Sequence, residues 1–319
     1  MIRFLAVRVA QAAIVLLVVS FAVYMLIGLM PGDPVDAMIM ANPHATPADA
    51  ARLKALYGLD KPLLERYASW LGAALHGDLG YSRLTHHRVL EDLLPRIGNT
   101  ALLVTIVVPL CVMLGLPLGI AAARRPGSMA DTAINLLCFS GISMPPFWLG
   151  LLLILLFSVT LGWLPAGGMG PPGDHVSPGQ RIPYLIMPVV TLVALNFGVY
   201  TRHVRAAMID NLQQDYIRTA RAKGVSERGI LWRHALRNAL TPLVTVTALD
   251  LGSLFSGALV TETVFGYLGM GKLIYDSIMG NDYNLALVAL LFACAMIILA
   301  NLAADIAYAA LDPRVKYGA

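Results

Sequence analysis

The chain alternates between long apolar stretches and short polar connections, and the lengths of the stretches set the first expectation. Six apolar runs reach or approach the roughly 20 helical residues that a bilayer requires: Val9–Met30, Ala101–Ala123, Ala133 to about Leu161, Pro183–Thr201, Ala239–Thr261 and Leu285–Ala304. Within them the apolar residues are continuous rather than alternating, which predicts helices and argues against a lipid-spanning barrel. The third run is interrupted by Pro145-Pro146, which predicts a kink. The first run follows Arg3 and Arg8 but is too long for a signal-peptide core, and Gly28-Leu29-Met30-Pro31 is a poor cleavage site; it reads as a retained span.

The polar connections orient these spans. Arg3 and Arg8, Arg124 and Arg125, the basic residues from Arg202 to Arg237, and Arg314 with Lys316 all fall on one side, whereas the short loops opposite hold only Arg181 and Lys272. The side rich in Lys and Arg is the cytoplasmic one. The expectation is therefore an all-α polytopic membrane protein with six transmembrane helices and both termini cytoplasmic. It divides into residues 1–30, an extracytoplasmic helical insertion over 31–100, and a core over 101–319 with five further spans and a cytoplasmic loop at 202–238. Inside the insertion, Thr46-Pro47 predicts one amphipathic helix that Gly58 stops. Pro62 opens a second, with Leu63, Leu64, Tyr67, Leu71 and Ala74 on one face. The insertion reads either as a lid on its own spans or as a docking surface for an external partner.

Composition agrees. Of 319 residues, 58% are hydrophobic and only 13% charged, against about 25% charged in soluble domains; mean hydropathy is +0.70. Cys111, Cys138 and Cys294 all lie inside apolar runs and read as small apolar fillers, with no zinc-type spacing. No HExxH or G-x-S-x-G pattern is present among the scattered histidines, so no catalytic or metal site is expected. Gly266–Lys272 matches the first seven positions of a phosphate-binding Walker A loop, but Leu273 stands where Ser or Thr would hold magnesium, and no strand precedes it. It is expected to be a decoy.

Against this apolar background, "DYIRTARAKGVSERGILWRHALRNAL" (Asp215–Leu240) stands out as basic and helix-forming. Asp215–Lys223 predicts a short helix, Gly224 a left-handed turn, and Ser226 a cap for the next helix with Glu227 in its first turn. Trp232, Leu236 and Leu240 follow at helical spacing, with Arg233 and Arg237 beside them. From these residues alone, the stretch reads either as an anchor on anionic lipid or as an element docking on a cytoplasmic protein. A nucleic-acid-binding helix-turn-helix would fit the local pattern, but the tether between two spans argues against it. Asp250 is expensive inside a span and reads as pathway-facing, interface-facing or a hydrogen-bonded structural acid. Asn196 and Asn301 are weaker cases of the same kind, and Met144, Pro145 and Phe147 are further pathway candidates at the predicted kink.

The basic stretch resembles the cytoplasmic signature loop of ABC-transporter permeases of the dipeptide/oligopeptide branch. Gly224 stands at the glycine of the EAA-x3-G pattern, with Thr219 and Ala220 at its two alanine positions and Arg218 in place of its glutamate; of the later I-x-L-P, Leu236 matches the leucine while His234 and Arg237 depart from the isoleucine and proline. "PGDPV", "YGLDKPLLERYASWL" and "GDLGYS" precede this stretch, "SMPPFWLG" lies in the third run, and "ETVFGYLGMGKLI" and "LDPRVKYG" follow. The resemblance implies a multi-pass protein of the bacterial inner membrane, forming half of the pathway of a binding-protein-dependent importer for di- or oligopeptides. Nickel chelates, glutathione and other small polar solutes are alternatives within the same importer type. It implies a second homologous permease subunit, an extracytoplasmic solute-binding protein and two cytoplasmic ATP-binding subunits. These would hold ATP and magnesium, with no cofactor and no hydrolysis in this chain itself. Coupling is implied at Thr219, Ala220, Arg221, Ala222, Lys223, Gly224, Val225, Ser226, Glu227 and Arg228. A membrane sensor or assembly subunit without transport is the reading from a different class.

Overall fold

The computed structural model describes residues 2–29, 60–171 and 177–311, with isolated positions at 46, 48 and 52. Its elements are helical: α1 Ile2–Gly28, α2 Leu63–Leu75, α3 Val89–Arg124, α4 Met129–Ser143, α5 Pro146–Leu153, α6 Pro178–Leu212, α7 Asp215–Ala222, α8 Leu236–Gly257, α9 Leu259–Val264, α10 Met270–Met279 and α11 Tyr283–Leu311. Among the described residues the only β pairing is an isolated bridge between Tyr81 and Arg88. The expected helix after Thr46, "PGDPV" and nearly all of "LDPRVKYG" lie outside the described residues.

Four described helices are long and apolar enough to cross a membrane: α1 from Ala6, α3, α6, and α11 as far as Ala304; α4 and α5 together would make a fifth. The third apolar run is broken sharply at Pro145-Pro146 rather than gently kinked. Its two halves meet at 97°, because Pro146 starts a new helix at its first turn and Met144-Pro145 are extended. Beyond Leu153 the chain continues in wider π-helical turns over Ile154–Thr160.

The residues form two compact units, Met1–Pro95 with Leu273–Ala295 and Arg96–Lys272 with Met296–Ala319. In the first, α2 packs on α1 through aromatic side chains. Tyr67 is buried, its hydroxyl shares a 2.8 Å hydrogen bond with Ser20 Oγ, and the rings of Phe21 and Tyr24 meet it edge-on. Leu63, Trp70, Leu71 and Ala74 are half-buried along α2, but Leu64 is 63% exposed and does not share their face as the sequence suggested. The "GDLGYS" segment is fastened to residues 280–285. Ser82 Oγ (2.5 Å) and Leu84 N (3.1 Å) donate to buried Asp282, Asn284 Nδ2 donates to Leu79 O (2.8 Å), and Arg83 donates to Gly280 O.

In the second unit the core gathers Leu103, Val107, Cys111, Phe197, Tyr200 and Met208 with Ile217 and Ile230 from the basic loop. Helices α4 and α6 meet backbone to backbone: a Cβ on Gly141 would strike Ala194 O, and one on Gly198 would strike Cys138. Small residues allow this approach, which is how apolar helices gain packing where lipid offers no hydrophobic contrast.

Candidate functional site

The basic loop folds as a compact knuckle. In α7, Ile217 and Ala220 are buried while Arg218, Thr219, Arg221 and Ala222 face outward. The helix ends as its sequence predicts: Gly224 has φ +75°, its N–H donates to Arg221 O (2.9 Å), and Val225 N donates to Ala220 O (3.2 Å). This left-handed closure is natural for glycine and costs other residues about 1–2 kcal/mol. Ser226 then caps the next turn by accepting from Gly229 N (3.3 Å). Across the turn Arg221 Nε donates to Glu227 Oε1 at 2.9 Å, and the guanidinium draws the Glu227 carboxyl below its ordinary range. Both side chains are exposed, so the pair shapes the turn more than it stabilises the fold.

The ten loop residues singled out from the sequence therefore sit together but do different things. Thr219, Arg221, Ala222, Lys223, Gly224, Ser226, Glu227 and Arg228 present the surface, whereas Ala220 is buried and Val225 half-buried as anchors. The following helix departs from expectation. Six residues, Ile230–Ala235, wind as a π-helix, which breaks the regular helical spacing. Trp232 (54% exposed) and Leu240 turn outward, while Ile230, Leu231, Ala235, Leu236 and Ala239 are buried. Sequence reasoning also missed the brace at the knuckle's base, where Asn238 Nδ2 donates to Tyr216 Oη (2.9 Å) and Tyr216 Oη donates to Asn211 Oδ1 (2.8 Å). No local pattern marks residues so far apart.

The pathway candidates are scattered over separate elements. Met144, Pro145 and Phe147 share the α4/α5 bend, where Met144 is half-buried and the other two are exposed. Asn196 donates to Leu192 O of its own helix (2.7 Å). Asp250 lies on α8, half-buried, with its carboxyl facing the hydroxyl of buried Tyr200 on α6.

The Walker-like stretch proves to be wrapped around a carboxyl group of its own chain. Glu262 on α9 is fully buried, accepting from Thr100 Oγ1 (2.7 Å) and Lys272 N (2.9 Å). Gly269 packs so closely that a Cβ would collide with the carboxylate. Thr100 Oγ1 also accepts from Met270 N (2.8 Å), and Tyr267 Oη donates to Asn99 O (2.7 Å). Glycine-rich backbone curved around oxygen acceptors is what a phosphate loop provides; here the Glu262 carboxyl fills that space. Burial raises the Glu262 carboxyl above its ordinary 4.5, with the Lys272 and Thr100 hydrogen bonds opposing the rise. A raised folded-state value means that the fold binds this proton more tightly than the unfolded chain. This contribution to stability is full below about pH 4.5 and declines as pH rises through the raised value. Melting curves across that window should show the decline, and Glu262→Gln should flatten it.

Comparison with known proteins follows the same lines. Residues 115–317 match the family model "Binding-protein-dependent transport system inner membrane component", and residues 1–104 match its N-terminal companion. The chain is 37% identical over 311 residues to the oligopeptide transport system permease protein AppB of Bacillus subtilis, covering 97% of this chain and 98% of that one. It is 35% identical to the di/tripeptide transport system permease protein DppB of Pseudomonas aeruginosa, covering 99% of each. Among solved structures, one of the inward-facing MetNI methionine ABC transporter aligns with a TM-score of 0.55 at 19% identity, over 69% of this chain and 95% of that one, a likeness of fold. With its apolar helices and full-length match, the chain belongs to the family of binding-protein-dependent transport system inner membrane components, as a multi-pass permease subunit.

Proposed function

We propose that this subunit forms half of the membrane pathway of an ATP-driven importer of di- or oligopeptides. The reading takes all six apolar runs as spans, with both termini cytoplasmic and residues 31–100 outside. A second permease completes the pathway, a solute-binding protein delivers substrate to the outer face, and two ATP-binding subunits supply the hydrolysis, so that ATP and magnesium are held by partners. One observation carries this: the exposed, basic, internally braced knuckle at Thr219–Arg228, rooted in the core by Ile217, Ala220 and Ile230. A rigid projection of this kind can pass a partner's closure to the spans as a rigid-body shift. The peptide assignment is supported by the names of relatives matched end to end.

The test is the assembled complex in liposomes, with its binding protein and a panel of di- and tripeptides. Peptide-loaded binding protein should raise ATP hydrolysis and drive peptide accumulation. Stimulation by a nickel chelate or glutathione instead would keep the importer and replace the substrate. ATP hydrolysis by the isolated chain would refute the division of labour. Asp250 is the pathway candidate to test first, because it is an acidic side chain half-buried in the fifth apolar run, beside Tyr200. Asp250→Asn should leave assembly intact and reduce uptake about tenfold, the scale on which site couplings act; unchanged uptake for every peptide would make it a structural acid.

A further inference from the structure

The most completely satisfied ion pair among the described residues lies away from both the Thr219–Arg228 knuckle and the pathway candidates. Arg205, on α6, grips Asp131, in the first turn of α4, with two hydrogen bonds: Nε to Oδ1 at 2.6 Å and Nη2 to Oδ2 at 2.7 Å. Asp131 also accepts from Asn135 Nδ2 (2.7 Å) and Gly127 N (2.9 Å), while its own N–H donates to the cap of α4, Ser128 Oγ (3.3 Å). The Asp131 side chain is 4% exposed. A pair with its carboxylate buried and its Arg205 side chain 26% exposed is a poor way to gain stability, since apolar residues of similar size often serve as well or better. What a bidentate Arg–carboxylate fork adds is fixed direction.

Its position says what that direction serves. Helix α6 runs from Arg205 to Leu212 and, two residues later, enters α7 of the knuckle. Helix α4 runs from Asp131 to Ser143 and ends at the 97° bend of Met144-Pro145. Between these ends the helices touch backbone to backbone at Gly141 and Gly198, toward the bend and away from the Asp131 end. The fork closes that end. We propose that Asp131 and Arg205 are positioning residues for transport: the fork makes α4 follow α6, so that a displacement entering at the knuckle reaches the bend at Met144–Phe147 instead of dissipating between the two helices. This rests on the reading of the knuckle as the site where the ATP-binding subunits act.

The experiment uses the whole complex in liposomes, with Cys111, Cys138 and Cys294 replaced by Ala and spin labels at Ala133→Cys on α4 and Ala206→Cys on α6, both exposed. With the fork intact, the distance between labels should be the same without nucleotide and after trapping with ATP and vanadate. In Asp131→Asn, and in the apolar pair Asp131→Leu with Arg205→Met, trapping should shift and broaden that distance. Peptide uptake per ATP hydrolysed should fall about tenfold, within the usual range of site couplings. The apolar pair is the variant expected to keep its fold where the single change leaves a charge stranded. An unchanged distance and unchanged uptake per ATP in the apolar pair would overturn the proposal. Failure of both variants to accumulate in the membrane would do so too, since the fork would then be a folding element. The knuckle reading fails separately: it is refuted if the ATP-binding subunits still co-purify and hydrolyse normally with Gly224→Asp, a change that leaves the fork untouched.

Discussion

Gly224→Asp is expected to reduce uptake to background while the subunit still inserts and accumulates. Two physical effects act at once. At φ +75° a side chain meets the strain that glycine avoids, and although aspartate tolerates this region better than most residues, some loosening of the turn follows. The larger effect is at the surface. No atom lies within 4 Å of a Cβ built on Gly224, so the new carboxylate would project outward beside Arg221 and Lys223. A partner that fits a basic knuckle with no side chain at its tip would meet bulk and the wrong charge there. Gly224→Ala separates the two effects: it keeps most of the strain, about 1–2 kcal/mol, and adds no charge. Co-purification of the ATP-binding subunits, measured for both, should be lost with Asp and largely kept with Ala. Normal uptake by the Asp variant would remove the knuckle from the coupling route.

The second large effect is expected at Glu262. Glu262→Ala deletes the acceptor of Thr100 Oγ1 and Lys272 N in a fully buried setting. Each buried donor left without a partner costs about 1–3 kcal/mol, so destabilisation of about 3 kcal/mol or more is anticipated. Thermal unfolding of the purified subunit should shift down accordingly, and proteolysis near Gly266–Gly271 should accelerate. Glu262→Gln should do less harm, because its amide oxygen can still accept one of these bonds. Melting of the Ala variant at the same temperature as the native chain would show that the Gly266–Lys272 turn holds without this carboxyl.

The sequence already carried the outline of this protein. Lipid tolerates only backbone that satisfies itself, so long apolar runs had to be helices; the structure bears out α1, α3, α6 and α11 near their expected places. The knuckle was equally legible because its signals are local: an amphipathic turn of helix, a glycine, a serine cap. Elsewhere the outcome depended on partners distant in the chain. Pro145-Pro146 announced a disturbance, but a kink and a 97° break differ only in how the following helix packs. The outward turn of Trp232 follows from π-helical turns that no spacing rule anticipates. Glu262 and Asp131 with Arg205 were invisible for the same reason. A polar side chain can stay buried only if a donor or acceptor meets it, and those that meet these residues come from sequence separations of up to 162 residues. Hydrophobic period and turn chemistry belong to the chain itself, whereas pairing of buried polar groups exists only once the helices have come together.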